Sequence, residues 1–393
     1  MNSQYLWPEN VRHAEKLTSK MTEQMELTVP GFLESLSLVE FNPKHASESL
    51  WSAYFSISET IFREFNPKRR LPNRVAARQQ FSTPNPLYTV KRWLLLDETG
   101  SAIASATISY DTELSPDYET SSHICHIQIE VAPTYRRKNI ATRLLNQMIE
   151  NASTMAKDTV RANAENPTGL GFCRYLKGEL IHKVVQHRLY LEDVDWQLVD
   201  QWCDKGKARF PGTTVESFQE CPEKDIDEFC KTYTEIINQR PVGAIQEGLV
   251  TTPESRRVEE RNFKRRGTQW HTIISRERDG QISAMTDIMV NPREPHRIHQ
   301  YFTGVLARYR RRGLAKRLKA EMLEYIKEMF PEAEYITTTT ASDNKPMQAI
   351  NKQLGFMPKK TYSMFQWTLQ DLDRRVKKVL SAAEPVGYLK RKH

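Results

Sequence analysis

Two stretches of the chain share one hydrophobic pattern. Each begins with an apolar, β-prone run, His126-Ile-Gln-Ile-Glu-Val131 and His299-Gln-Tyr-Phe-Thr-Gly-Val305. Each ends in a segment with helical spacing. In the second copy Ala315, Leu318, Met322, Tyr325 and Ile326 fall on one face, while Lys316, Lys319, Glu324 and Lys327 lie largely off it. Between strand and helix stands a basic turn, Tyr135-Arg-Arg-Lys-Asn139 or Tyr309-Arg-Arg-Arg-Gly313. The offset is constant at 174 residues, from Val131 to Val305 and from Arg136 to Arg310. Residues 131–150 and 305–324 agree at nine of twenty positions, where ordinary composition would give about one. So long a period marks a duplicated domain; solenoid repeats run roughly 20–50 residues.

The same order of elements surrounds both copies. Strands are predicted at 36–41, 90–96 and 102–109, with Asp97-Glu-Thr-Gly100 as a hairpin turn and a helix opening at Pro43. After the first turn come a short strand at 159–163 and a strand region at 181–192. The second copy has strands at 213–218, 270–275 and 282–290 and a helix start at 222–230. A β-branched run at 335–340, a helix ended by Gly355 and an alternating strand at 361–367 follow. The division expected is an extension over 1–32, a domain over 33–195, a linker helix over 196–206, a domain over 207–370 and a basic tail over 371–393. Hairpins in front and helical crossovers behind give an α+β class, each domain a mixed, mostly antiparallel sheet flanked by helices.

The turn has chemistry of its own. A helix N-terminus offers unpaired N–H groups and partial positive charge. Gly313 and Ala315 let a ligand approach the backbone, and Arg310, Arg311 and Arg312 add charge. That combination suits a diphosphate. No Gly-Lys-Ser/Thr follows, as in a P-loop, and no Gly-x-Gly is present, as in a dinucleotide fingerprint.

Arg310-x-x-Gly313-x-Ala315 after a strand resembles the acyl-CoA signature of the GNAT superfamily of N-acyltransferases. Asn344-Lys-Pro-Met-Gln-Ala-Ile-Asn-Lys-Gln-Leu-Gly-Phe356 resembles that family's downstream Asn loop, helix and Gly-Phe turn. The tandem layout is similar to that of mycothiol synthases. The resemblance implies a fourth and fifth strand that splay apart around an acyl-CoA, and acyl transfer, usually of acetyl from acetyl-CoA, to a primary amine. It implies that Val305, Arg310, Arg311, Arg312, Gly313, Leu314, Ala315, Lys316 and Asn344 contact the donor, with Val131, Arg136, Arg137, Lys138, Asn139, Ile140 and Ala141 as counterparts. The N–H near Val305 would polarise the thioester, and His299 leads the candidate bases, ahead of Glu235, Glu247 and Asp287. The family's acidic Tyr is replaced by Asn351, for which Tyr362 on the last strand is a substitute. In the first copy Asn139 replaces the motif glycine, Tyr175 lies near the acid position and Glu130 stands where the family often carries a base. The C-terminal domain is expected to be the main catalytic unit.

Composition narrows the alternatives. The net charge of +8 is spread over many small clusters, so nucleic acid is not an expected partner. No run of 18 apolar residues occurs and the first residues do not read as a secretory signal. Five cysteines, an odd number without a Cys-x-x-Cys pair, point to a reducing cytoplasm and to no metal site. The acceptor loops are expected at 241–261 and 292–297. A non-catalytic acyl-CoA sensor or interaction protein is the alternative, and the oligomeric state is left open.

Overall fold

A computed structural model describes residues 35–383 apart from 68 and 240–247. The N-terminal half runs β1 (Ser37–Glu40), α1 (Glu48–Phe65), α2 (Arg74–Ser82), β2 (Tyr88–Leu96), β3 (Ala102–Asp111), α3 (Tyr118–Ser121), β4 (Ile124–Val131), α4 (Ile140–Thr154), β5 (Thr159–Ala164), α5 (Pro167–Tyr175) and β6 (Glu179–Tyr190). A joining helix, α6 (Trp196–Arg209), leads to β7 (Thr214–Phe218), α7 (Ile226–Asn238), α8 (Pro253–Arg265), β8 (Gln269–Arg276), β9 (Ile282–Val290), β10 (Arg297–Val305) and α9 (Leu314–Met329). The chain closes with β11 (Tyr335–Ala341), α10 (Lys345–Gln353), β12 (Met357–Thr368) and α11 (Leu369–Ala383).

The α+β class holds, with strand hydrogen bonds running through both halves. Among the described residues twelve strands form one sheet in the order β1-β2-β3-β4-β5-β12-β6-β11-β10-β9-β8-β7. Each half therefore lends its last strand to the other. β12 pairs with β5 from Ser363 opposite Ala164 to Thr368 opposite Thr159, and β6 pairs along all of β11. The cores follow the exchange. Phe365 and Trp367 of β12 pack with Ile127, Leu144 and Met148, while Leu189 of β6 packs with Leu318, Ile336 and Phe356. Trp367 Nε1 also donates to the Leu176 carbonyl at 2.9 Å.

Local chemistry explains where helix starts differ from expectation. The helix expected at Pro43 begins at Glu48, because the Ser47 side chain accepts from the Leu50 N–H and sets the first turn there. Residues 253–261 of the expected loop 241–261 belong to α8, and residues 241–247 lie outside the described residues. A reciprocal Thr252–Ser255 capping box and Pro253 in its first turn nucleate that helix despite its few apolar residues.

Both motif strands splay. β4 pairs with β5 in parallel only over residues 124–126, while its antiparallel ladder with β3 continues to Val131 opposite Ala104. β10 pairs with β11 only over 297–300, yet follows β9 to Val305 opposite Ala284. Each half thus opens a gap beside its fourth strand, ending at the basic turn.

Candidate active site

The two turns have one backbone geometry. Arg137 and Asn139 take φ of 65° and 58°, and Arg311 and Gly313 take 62° and 85°. Alternating left-handed residues bend the chain so that successive N–H groups face outward ahead of the helix. Neither α4 nor α9 receives a side-chain cap. Asn139 keeps the glycine-like angle because Asn tolerates this region better than most residues. Leu314 and Ile140 are buried, so only their backbone faces the turn.

The gap also receives strand amides. The Leu306 N–H is spent on Ser283 and the Ala132 N–H on Ile103. Alternation along an antiparallel ladder then turns the N–H groups of Val305 and Val131 away from the sheet, into the gap. This is the geometry that the diphosphate, pantetheine arm and thioester of an acyl-CoA require, so the residues present fit that group.

Several expected contacts are engaged elsewhere. The Arg136 guanidinium donates to the Val131 carbonyl at 3.0 Å and forms a two-point pair with Glu64 of α1 at 2.6 and 2.5 Å. Arg310 repeats the arrangement with the Val305 carbonyl at 3.3 Å and Gln239 at 2.7 Å. Both arginines brace the turn from behind. Arg312 meets Glu277 at 2.9 Å and lies over Phe210, and Lys316 reaches Gln353 at 2.8 Å. Lys138 lies over the Tyr135 ring. Arg137 and Arg311 are exposed at the left-handed positions, as Arg310 is beside the second of them, and Ala141 and Ala315 leave the first helical turn open. Asn344 caps α10 by accepting from the Met347 N–H, as Asn166 caps α5 at Gly169.

The expected catalytic residues scatter. His299 lies in the paired part of β10, bonded to Thr337, and burial lowers its pKa to about 4. Asn351 is fully buried and ties α10 to Thr340. Its counterpart is Cys173, because the Phe356 N–H bonds to Asn351 as the Gly178 N–H bonds to Cys173. Lys177, at φ 56°, therefore takes the place of Gly355, and Tyr175 is 63% exposed. Tyr362 changes halves: it lies on β12 one residue beyond the ladder with β5, level with Glu165. Glu235 pairs on the surface with Arg308, Asp287 is buried with its pKa raised to about 7 by desolvation, and Glu247 lies outside the described residues.

The halves differ most at one equivalent position. In the N-terminal half Glu130 of β4 borders a cavity of about 210 Å³ reaching under α1 and α2. Glu165, just past β5, lines the same cavity and pairs with Lys360 of β12. Burial raises the Glu130 pKa, and the neighbouring Glu165 carboxylate raises it further. In the C-terminal half the equivalent residue is Gly304. A Cβ there would stand 2.1 Å from Ile236 Cγ2, so α7 covers the space that Glu130 faces in the first half. A second hollow of about 310 Å³, lined by Phe263, Trp270 and Arg293 among others, includes no residue of either turn.

Among the described residues no group of His, Cys, Asp and Glu could hold a metal, and no helix is long and apolar enough to cross a membrane. All five cysteines are buried and unpaired.

Comparison with known proteins agrees with this geometry. The model of the acetyltransferase (GNAT) family matches residues 51–176 and 218–356. A tandem GNAT protein from the clavulanic acid biosynthesis pathway superposes with a TM-score of 0.68 at 18% identity, covering 85% of this chain and 98% of its own. A GCN5-related N-acetyltransferase from Sphaerobacter thermophilus gives 0.59 at 13% identity, with 86% and 96% covered. N-myristoyltransferase from Saccharomyces cerevisiae, with bound myristoyl-CoA, gives 0.54 at 12% identity, with 88% and 81% covered. No curated protein sequence matches the chain.

Proposed function

This chain belongs to the acetyltransferase (GNAT) family, and from that premise we propose that it transfers acetyl from acetyl-CoA to a small primary amine held in its N-terminal half. The observation that carries the choice of half is the contrast between Glu130, which borders a cavity, and Gly304, which is covered by Ile236. The reading replaces the expectation of a catalytic C-terminal half.

Bound acetyl-CoA supplies an activated acyl group. Turn amides after Arg137 and Arg311 take the diphosphate, and the exposed guanidinium of each adds charge. The Val131 N–H meets the thioester oxygen and stabilises the charge that develops there. An amine of pKa near 10 arrives mostly protonated. Glu130 takes that proton, directly or through one water, and its raised pKa brings it closer to the working pH of a base. Tyr362, level with Glu165, is the candidate donor to the departing thiolate. The C-terminal half keeps the turn and binds acyl-CoA without turning it over.

The test is release of free CoA from acetyl-CoA with a panel of primary amines. Wild type turns over, Glu130→Gln loses most of kcat/KM, and Tyr362→Phe loses less. Full activity in Glu130→Gln would return the chemistry to the other half.

A further inference from the structure

The cavity beside Glu130 carries a second, opposite charge. Arg92 of β2 and Arg266, at the end of α8, both line it. Arg266 is 7% exposed and belongs to the C-terminal half, so the two halves build this wall together. Among the described residues neither guanidinium has a carboxylate partner. Arg92 lies over the Phe81 ring at 4.9 Å, which leaves its N–H edge unused. Burial and, secondarily, the nearby Arg92 charge lower the pKa of Arg266 to about 10. Both remain cationic at neutral pH. Two like charges on one cavity wall, Arg266 buried and Arg92 half-buried, are costly to hold together without a counter-ion. It is the arrangement expected where an anion completes the site.

The register fixes where that anion would sit. Arg92 stands opposite Thr107, which stands opposite Gln128, and Glu130 lies in the adjoining row with Leu94 and Ser105. Two strand spacings and two residues separate Arg92 from Glu130, about 12 Å between Cα atoms. Tyr54 lines the same cavity, and both the Glu130 and the Arg92 charge act on its hydroxyl. The cavity thus has an acidic end at the gap and a basic end beneath α2, with aromatic walls such as Phe41, Phe62 and Phe81.

We propose that the acceptor is an amine carrying an anionic group, its amine directed to Glu130 and Glu165 and its carboxylate or phosphate held by Arg92 and Arg266. The assignment rests on the acyl-transfer reading above and names the substrate class for that site. It makes Arg266 a specificity residue supplied by the half that does not perform the chemistry.

The experiment compares matched amines in the CoA-release assay with the full chain: pentylamine against ε-aminocaproate, phenethylamine against phenylalanine, and ethanolamine against phosphoethanolamine. In at least one pair the anionic member should have the higher kcat/KM, by roughly tenfold or more. The pair that responds separates carboxylate from phosphate. Arg266→Met should collapse that ratio through KM for the acceptor. It should also melt higher than wild type, since a buried unpaired charge has gone, which verifies folding. An equal or inverse ratio in all three pairs, or a ratio unchanged in Arg266→Met, overturns the proposal. If wild type acetylates no amine, the acyl-transfer reading fails and the anion site is judged by binding alone. Caproate or inorganic phosphate should then raise the melting temperature of wild type more than that of Arg266→Met, and equal shifts would refute the site.

Discussion

Lys360, on the last strand of the C-terminal half, forms an ion pair with Glu165 at the end of a strand of the N-terminal half. The strand exchange makes this contact possible, and it brings a cation to the rim of the proposed acceptor cavity. The same exchange means that neither half holds a complete sheet. A chain cut between residues 206 and 207 should give two fragments that lack cooperative unfolding alone and regain it when mixed. Circular dichroism melts of each fragment and of the mixture check this.

Glu130 offers a test in which function and stability move oppositely. Its pKa in the folded chain lies above the ordinary 4.5. The folded state therefore binds its proton more tightly than the unfolded state does. The associated stability is full below the unfolded value and is lost as pH rises through the folded value. At neutral pH the carboxylate is a net cost. Glu130→Gln should melt higher than wild type, with a larger gain at pH 8 than at pH 5, while kcat/KM falls by about 10²–10⁴. Melting curves at both pH values and CoA release give the two signs.

Arg311 combines exposure with a φ of 62°, a conformation that costs a non-glycine residue about 1 kcal/mol or more. Arg311→Gly should stabilise the chain by about 1 kcal/mol and weaken acetyl-CoA binding severalfold, more at low salt than at high salt. Gly313→Glu places a carboxylate at the other left-handed position and should abolish binding in that half, whereas Gly313→Asn should retain it. Calorimetric titration of acetyl-CoA into each variant separates charge from backbone geometry.

Ile236 and Gly304 form a lock that a double-mutant cycle can open. Gly304→Ala drives a methyl against Ile236 Cγ2, 2.1 Å away before relaxation, and should cost about 1–3 kcal/mol. Ile236→Ala alone should cost about 2–5 kcal/mol. The double variant should be more stable than the sum of the two predicts, because the new methyl then meets only the Phe302 ring, at 2.9 Å. Urea denaturation of the four chains measures the coupling.

Much of the architecture was legible along the chain. Most strands, both motif turns and the joining helix lie within a few residues of where their hydrophobic periods put them. The strand exchange was not legible. Residues 181–192 and 361–367 read as final strands in either arrangement, since alternation specifies a pleat and not a partner. The protein partners of the turn arginines were not legible for a related reason. Arg136 owes its orientation to Glu64, 72 residues earlier, and sequence spacing does not record that. The α8 helix was hidden because its caps, and few apolar residues, define it. Arg266 reads as an ordinary basic helix end, and only the packing of α8 brings it to the wall of the cavity beside Glu130. Glu130 was visible as a candidate base, but the proposed preference for it over His299 rests on the cavity beside it and on Ile236 against Gly304, which only packing reveals.

The central claim concerns where the thioester lies and what it faces. A crystal structure of the chain with acetyl-CoA measures this directly. The account predicts a diphosphate on the amides after Arg137, a thioester oxygen at the Val131 N–H and an acetyl group facing the cavity bordered by Glu130. Acetyl-CoA bound only at the Gly313 turn, with the β4–β5 gap closed by protein side chains, would contradict it.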